Sequence, residues 1–302
     1  MSERGNLHLE LLGPMRLWRR GAEIPLGPPK QRAVLGVLAG SLGEVLTVEQ
    51  LADGVWGHRL PRSAASAVHT YVAGLRRALE PGRRRRESGS VLASADGGYS
   101  LRMPAEAIDA RLFTRRVNAA HALLAAGRSD AAAVELERGL SLWHGDAYAN
   151  VPGPGAEIER ARLARTRMAA VEEWAELLLA AGLHNQVVPA LVGYVGREPL
   201  RERLRFLLMV ALYRSGRRAH ALGVYRETTE VLDAELGVEP GPELRELYEQ
   251  ILDGHPVLLP GTVHGSVEVL RTIGGTVNRA ADAAPPPPTP AAAPARPAPV
   301  RH

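Results

Sequence analysis

Hydrophobic positions in the N-terminal third of the chain switch between two periods. Leu7, Leu9 and Leu11 alternate with polar residues, Gly13-Pro14 turns the chain, and the short runs Met15–Trp18 and Ile24–Leu26 flank Gly21. Residues two apart share a strand face, so this stretch predicts a small antiparallel sheet. Beyond Pro28-Pro29 the period lengthens. Val34, Leu35 and Leu38 recur at helical spacing and predict a first helix from about Lys30 to Ser41. T-V-E-Q at 47–50 is a capping box, in which the Thr hydroxyl and the Gln side chain satisfy free amides at a helix start. A second helix therefore runs from Val48 to about Trp56 and buries Leu51, Val55 and Trp56.

The segment from Arg62 to Leu79 is amphipathic at helical period. Val68, Tyr71, Val72, Leu75 and Leu79 form one stripe, and Ser63, Ser66, His69, Thr70, Arg76 and Arg77 point elsewhere. Taken alone it fits an ordinary surface helix as well as a helix that reads DNA through hydroxyls and guanidinium groups. Its neighbours favour the second reading. Gly57–Pro61 links it closely to the capped helix before it, as in a helix-turn-helix, and Pro81-Gly82 ends it. Val91–Ala93, a turn at Asp96-Gly97-Gly98 and Tyr99–Leu101 then predict a hairpin. Sheet, three helices and terminal hairpin make a winged helix. Lys30 and Arg32 in the first helix fit either a phosphate contact or a solvated first turn. Arg83–Arg86 fit either a solvated loop or nonspecific phosphate contacts.

From Ile108 onward every period is helical. The predicted helices span 109–126, 129–143, 156–181, 185–196, 201–215, 218–236 and 242–252, with Gly237 as a C-terminal cap and Pro242 in a first turn. Glycine turns at Ala126-Gly127, Ala181-Gly182 and Ser215-Gly216 separate helical hairpins. Gly182 and Gly216 lie 34 residues apart, the tetratricopeptide period, whereas Gly127 and Gly182 lie 55 apart, with Val151-Pro152-Gly153-Pro154 between them. One irregular junction is therefore expected in the array. Residues 284–300, rich in Pro and Ala, supply no core and predict a disordered tail.

Composition adds compartment and charge. The 302 residues include no cysteine, which excludes disulfides and thiolate metal sites and suits a reducing cytoplasm. The opening M-S-E-R-G-N-L has no apolar signal core, and no run approaches the roughly 18 apolar residues of a membrane span. Residues 1–103 carry 15 basic and 9 acidic side chains, residues 104–252 carry 18 and 21, and residues 253–302 carry 4 and 3. The basic excess accompanies the winged-helix segment, as expected of a nucleic-acid module joined to an acidic partner-binding module. Lys30 is the single lysine, so arginine richness reflects a GC-rich genome and carries no functional weight.

Enzyme chemistry finds no foothold. The histidines show no metal-ligand spacing, and there is neither a G-x-S-x-G elbow nor a G-x-x-x-x-G-K-[ST] phosphate loop. No cofactor or metal is expected.

Several motifs in order carry a family resemblance over about residues 7–252. They are L-L-G-P-M-R-L at 11–17, P-P-K-Q-R-A-V-L at 28–35, L-A-D-G-V-W at 51–56, V-H-T-Y-V-A-G-L-R-R-A-L-E-P at 68–81 and G-G-Y-S-L at 97–101. L-S-L-W-H-G at 140–145, A-L-Y-R-S-G-R at 211–217 and E-L-G-V-E-P-G-P-E-L-R-E-L at 235–247 continue them. The chain resembles the Streptomyces antibiotic regulatory protein (SARP) family.

The resemblance implies an OmpR/PhoB-type winged helix (1–103), a tetratricopeptide-like bacterial transcriptional activation domain (104–252) and a tail (253–302). It implies binding to direct repeats of double-stranded DNA near promoters, self-association on DNA, recruitment of RNA polymerase holoenzyme and activation of secondary-metabolite genes. It places Arg76 where relatives reach bases or phosphates, His69 and Thr70 on the groove side, and Tyr71 where relatives touch phosphate. Arg77 stays open between DNA contact and surface ion pair. Two positions depart from the pattern. Gly74 stands where relatives often carry arginine. Ala95-Asp96 stands where many relatives place a wing arginine, so that contact is either missing or taken over by Arg83–Arg86 or Arg102.

Two further readings stay open: a helical-repeat adaptor with vestigial DNA binding, and a regulator gated by a metabolite. Deleting residues 253–302 is expected to leave DNA affinity unchanged in a mobility-shift titration. A loss beyond about tenfold, roughly 1.4 kcal/mol, would assign the tail a role.

Overall fold

The computed structural model describes residues 7–82, 91–95 and 97–254. Arg83–Arg86, Asp96 and the Pro/Ala-rich stretch 284–300 lie outside the described residues. The chain begins with an antiparallel sheet of β1 (Leu7–Glu10), β2 (Arg16–Arg19) and β3 (Ala22–Ile24), in that order. Leu9 pairs with Leu17 and Leu17 with Ile24, which puts the apolar alternation on one buried face. The third strand starts two residues earlier than the apolar run suggested. Arg20 (φ 51°) and Gly21 (φ 81°) form a two-residue turn closed by Arg19 opposite Ala22, so pairing resumes at once and Leu26 lies past the strand.

Three helices follow: α1 (Pro29–Gly40), α2 (Val48–Trp56) and α3 (Ala64–Leu79). The capping box of α2 forms as expected, with Thr47 N–H donating to Gln50 Oε1 (2.8 Å) and Gln50 N–H to Thr47 Oγ1 (3.2 Å). Leu46–Thr47 has a second role that the capping pattern hid: it is a short strand, β4, beside the hairpin of β5 (Leu92–Ala95) and β6 (Gly98–Leu101). The order is β4-β6-β5. Gly98 is fixed there because a Cβ would collide with the Leu46 carbonyl oxygen. These elements make the winged helix.

After a 3-10 turn at Ala105–Ala107 come seven helices: α4 (Asp109–Ala125), α5 (Ser129–Leu140), α6 (Pro154–Ala180), α7 (His184–Arg197), α8 (Glu202–Arg214), α9 (Arg218–Leu236) and α10 (Pro242–Leu252). The turns at Gly127, Gly182 and Gly216 share one geometry. Each glycine is left-handed (φ 71°, 79° and 75°), and the next residue's amide reaches back to Leu123, Leu178 or Leu212 at 2.8–2.9 Å. That is the six-to-one bond of a Schellman cap. Helix α5 stops three residues short of the expected 143. Residues 141–153 leave the array and wrap around the turn between β1 and β2.

This wrapping joins the two halves. His144 N–H donates to Leu12 O (2.9 Å), Tyr148 N–H to Leu11 O (2.8 Å), and Met15 N–H to Asn150 Oδ1 (2.7 Å). Tyr148 is buried with a left-handed backbone (φ 55°), and its ring fills the space left by Gly36 on α1. Arg111 of α4 caps the end of α1 by donating to Ala39 O and Gly40 O. Gly54 and Gly155 let the start of α6 cross α2 against Val37. One hydrophobic core consequently runs from Leu9, Leu35, Leu51 and Leu75 into Phe113, Val117, Leu136 and Leu163. A second core, around Val171, Leu191, Leu207, Val210 and Leu247, meets it along α6.

The first residue of α4 holds the junction. Asp109 is 2% exposed, and its carboxylate accepts the amides of Leu11 (2.7 Å) and Leu12 (3.0 Å) besides that of Ala110 (2.6 Å). Burial pushes its carboxyl above the ordinary range, and the three amides oppose that rise. In Asp109→Asn one carbonyl oxygen replaces two acceptors, and the new NH2 faces an amide donor. The expected cost is about 1–3 kcal/mol, measured by denaturant unfolding of the full chain.

Candidate nucleic-acid interface

Helix α3 turns Val68, Val72, Leu75 and Leu79 inward and leaves Ser63, Ser66, His69, Thr70, Ala73 and Arg77 exposed. Ser63, Ser66, Thr70, Ala73 and Arg77 follow one another at three- and four-residue steps, and with His69 beside Thr70 they form a ridge. The link before it adds exposed Arg59 and Arg62. Thr70 Oγ1 donates to Ser66 O (3.0 Å), which leaves its lone pairs on the ridge. Ser63 precedes the helix and makes no side-chain cap. Arg77 forms no ion pair among the described residues, so the surface ion-pair reading finds no partner here.

Other residues singled out by sequence are engaged within the fold. Arg76 leaves the ridge, half buried, and grips the hairpin: Nε donates to Leu92 O (3.0 Å), a terminal amine donates to Ser94 Oγ (2.7 Å), and the guanidinium lies over the Tyr99 ring at 5.4 Å. Tyr71 is half buried and stacks on Trp56, with ring centroids 6.3 Å apart. Lys30 Nζ donates to Val55 O (2.7 Å) and sits 5.5 Å over Trp56, where it caps α2 instead of standing in a solvated first turn. Arg32 donates to Gly27 O (2.8 Å) and Asn150 O (3.3 Å) and thereby ties α1 to the wrapping segment. Arg102 is exposed at the end of the hairpin away from its turn, where its amide pairs with Val91 O (2.7 Å). It is therefore far from the tip where the missing wing arginine would stand.

Gly74 gains a different meaning. A Cβ there would run into the Gln31 side chain of α1, which is held by a bond to Leu26 O (2.9 Å) and also lies against Gly27. The glycine permits close approach of α1 and α3 on the inner flank of the helix. A larger residue at 74 would have to displace the end of the Gln31 side chain.

Sequence reasoning missed Tyr99 and Ser94. His69 Nδ1 lies 2.6 Å from Tyr99 Oη, with the rings edge-on at 5.9 Å. Helix and hairpin thus meet through polar contacts that include Arg76–Leu92, Arg76–Ser94 and His69–Tyr99. The G-G-Y-S-L motif held the signal, but only the register opposite Ser94 and Leu46 brings the phenol to α3.

A polar helix ridge flanked by a clamped hairpin, above a three-helix core and joined to a helical array, defines a winged-helix regulator of OmpR/PhoB type. The family described as "Transcriptional regulatory protein, C terminal" matches residues 21–101, and "Bacterial transcriptional activator domain" matches residues 108–252. The regulatory protein AfsR of Streptomyces coelicolor is 42% identical over 257 residues, 85% of this chain and 25% of AfsR. The regulatory protein DnrI of Streptomyces peucetius is 32% identical over 254 residues, 83% of this chain and 93% of DnrI. The chain belongs to the SARP family of transcriptional regulators. The solved structure of Mycobacterium tuberculosis EmbR in complex with a low affinity phosphopeptide superposes with a TM-score of 0.76 at 32% identity, over 91% of this chain and 71% of EmbR. The chain spans about a quarter of the length of AfsR. No helix among the described residues is long and apolar enough to cross a membrane.

The bonds from Arg76 predict how the hairpin is held. Arg76→Ala should speed amide hydrogen exchange in Leu92–Ser94 and Tyr99–Leu101 of the DNA-free protein by about tenfold, the loss of charge-assisted bonds worth roughly 1.5 kcal/mol. Unchanged exchange would mean that the hairpin docks without the arginine.

Proposed function

We propose that this chain is a sequence-specific activator of transcription that lays the α3 ridge into the major groove. The polar, exposed ridge beside the clamped hairpin carries this reading. Ser63, Ser66, His69 and Thr70 offer short hydrogen-bonding groups to base edges and phosphates, and Arg77 offers a cation to the backbone. Arg76 acts through the hairpin, setting its pitch beside the helix. The winged helix, residues 1–103, supplies DNA binding, and residues 104–252 meet RNA polymerase holoenzyme in the cytoplasm. With a single cation on the exposed helix face, one copy binds with modest specificity, and pairing on direct repeats supplies the remainder. The targets are promoters of a secondary-metabolite gene cluster, as the resemblance to the SARP family implies.

A mobility-shift titration on the region upstream of the chain's own gene tests the DNA reading. The complex should weaken steeply with salt, and Arg77→Ala should lower affinity evenly across sequences while reducing the salt slope by about 1. Equal affinity for random duplex at every salt concentration would favour the adaptor reading. Full-length protein added to a reconstituted transcription assay on the same promoter should raise transcript yield, and no rise would remove the polymerase contact.

A further inference from the structure

We propose that Tyr99 fixes the tautomer of His69, so that the imidazole presents an Nε2–H donor to the major groove and reads a purine acceptor edge. The inference rests on the DNA-binding reading above and adds a specificity determinant and its positioning residue.

The geometry begins with the 2.6 Å separation of His69 Nδ1 and Tyr99 Oη. A neutral imidazole carries one N–H and one bare nitrogen, and the hydrogen bond at one nitrogen decides the state of the other. A phenol is the better donor of the pair, and a bare imidazole nitrogen is the better acceptor. The Tyr99 hydroxyl therefore donates to Nδ1, and the ring proton resides on Nε2. The Arg76 guanidinium lies over the Tyr99 ring, 5.4 Å from its centre, and holds the phenol against the helix. Tyr99 is itself held in place. It pairs with Ser94 on one side and Leu46 on the other, in the middle strand of the β4-β6-β5 sheet. Its neighbour Gly98 cannot be replaced without striking Leu46. The hairpin thus sets the chemistry of a helix side chain.

His69 is exposed on the ridge, between Ala65 and Ala73, whose methyl groups leave its outer edge open. An N–H donor there suits N7 of either purine, O6 of guanine and O4 of thymine, and it opposes the N4 amino group of cytosine. The other tautomer would present a bare nitrogen and reverse that preference. The contact between helix and hairpin therefore bears on sequence choice as well as stability.

The test has two arms on the full chain. In the first, 15N–1H correlation spectra of the imidazoles in the DNA-free protein report which nitrogen of His69 is protonated. The Nε2–H form is expected in the wild type and a mixture in Tyr99→Phe; an Nδ1–H form in the wild type would overturn the proposal. In the second, purines of the upstream duplex are replaced one at a time by 7-deaza analogues, which lack the N7 acceptor. One replacement should cost the wild type about fivefold to tenfold in affinity, the scale of a single base contact. That sensitivity should vanish in His69→Ala and shrink in Tyr99→Phe. Identical deaza profiles for wild type and His69→Ala would overturn the base contact while leaving DNA binding established. Failure to bind any duplex would overturn the DNA reading and the base contact together, while the spectra would still decide the part played by Tyr99.

Discussion

A carboxylate that gathers amides from a strand end about a hundred residues away holds the molecule in one piece. Asp109 opens α4 and at the same time satisfies Leu11 and Leu12, where the first sheet turns under the wrapping segment. Ile108 bridges Leu9 just before it. Buried amides without partners are costly, so this one side chain commits the N-terminal sheet to the face of the helical array. Asn150, Tyr148 and Arg111 then close the same seam from three directions. The winged helix and the array share a core.

The seam frees α3 from structural duty on its outer side. Its inner face is settled by Val68, Val72 and Leu75, and its flank by the close approach at Gly74 around Gln31. Its hairpin edge is settled by Arg76 and His69. What remains outside is a ridge of hydroxyls, methyl groups, one imidazole and Arg77. The ridge carries little charge of its own, and the exposed cations Arg59 and Arg62 lie on the link just before it. Several arginines of the array serve the fold. Arg160 binds three carbonyls of the wrapping segment, Arg201 and Arg203 pair with Glu172 and Glu176, and Arg205 is buried against Pro199 and Thr228. Setting aside arginine abundance as a sign of nucleic-acid binding is therefore consistent with where those side chains lie.

Features encoded by neighbours in the chain were legible in advance. The capping box at Thr47, the glycine turns at 127, 182 and 216, the stripe of α3 and the family resemblance all depend on residues within a few positions or on motif order. The sequence by itself thus determined the succession of elements, the winged helix followed by helical hairpins, and the inward face of α3. Tertiary structure alone decided what individual polar side chains do. Lys30 went to α2, Arg32 to the wrapping segment, Arg76 to the hairpin, and Gly74 to the approach of α1. Asp109 reached a strand that no local pattern connects to it. The reason is physical: helical and turn signals arise from bonds three to six residues apart, whereas a guanidinium, ammonium or carboxylate takes whichever carbonyl or amide the packed chain brings within 3 Å. Tyr99, carried by the G-G-Y-S-L motif, acquired its place beside His69 in that way.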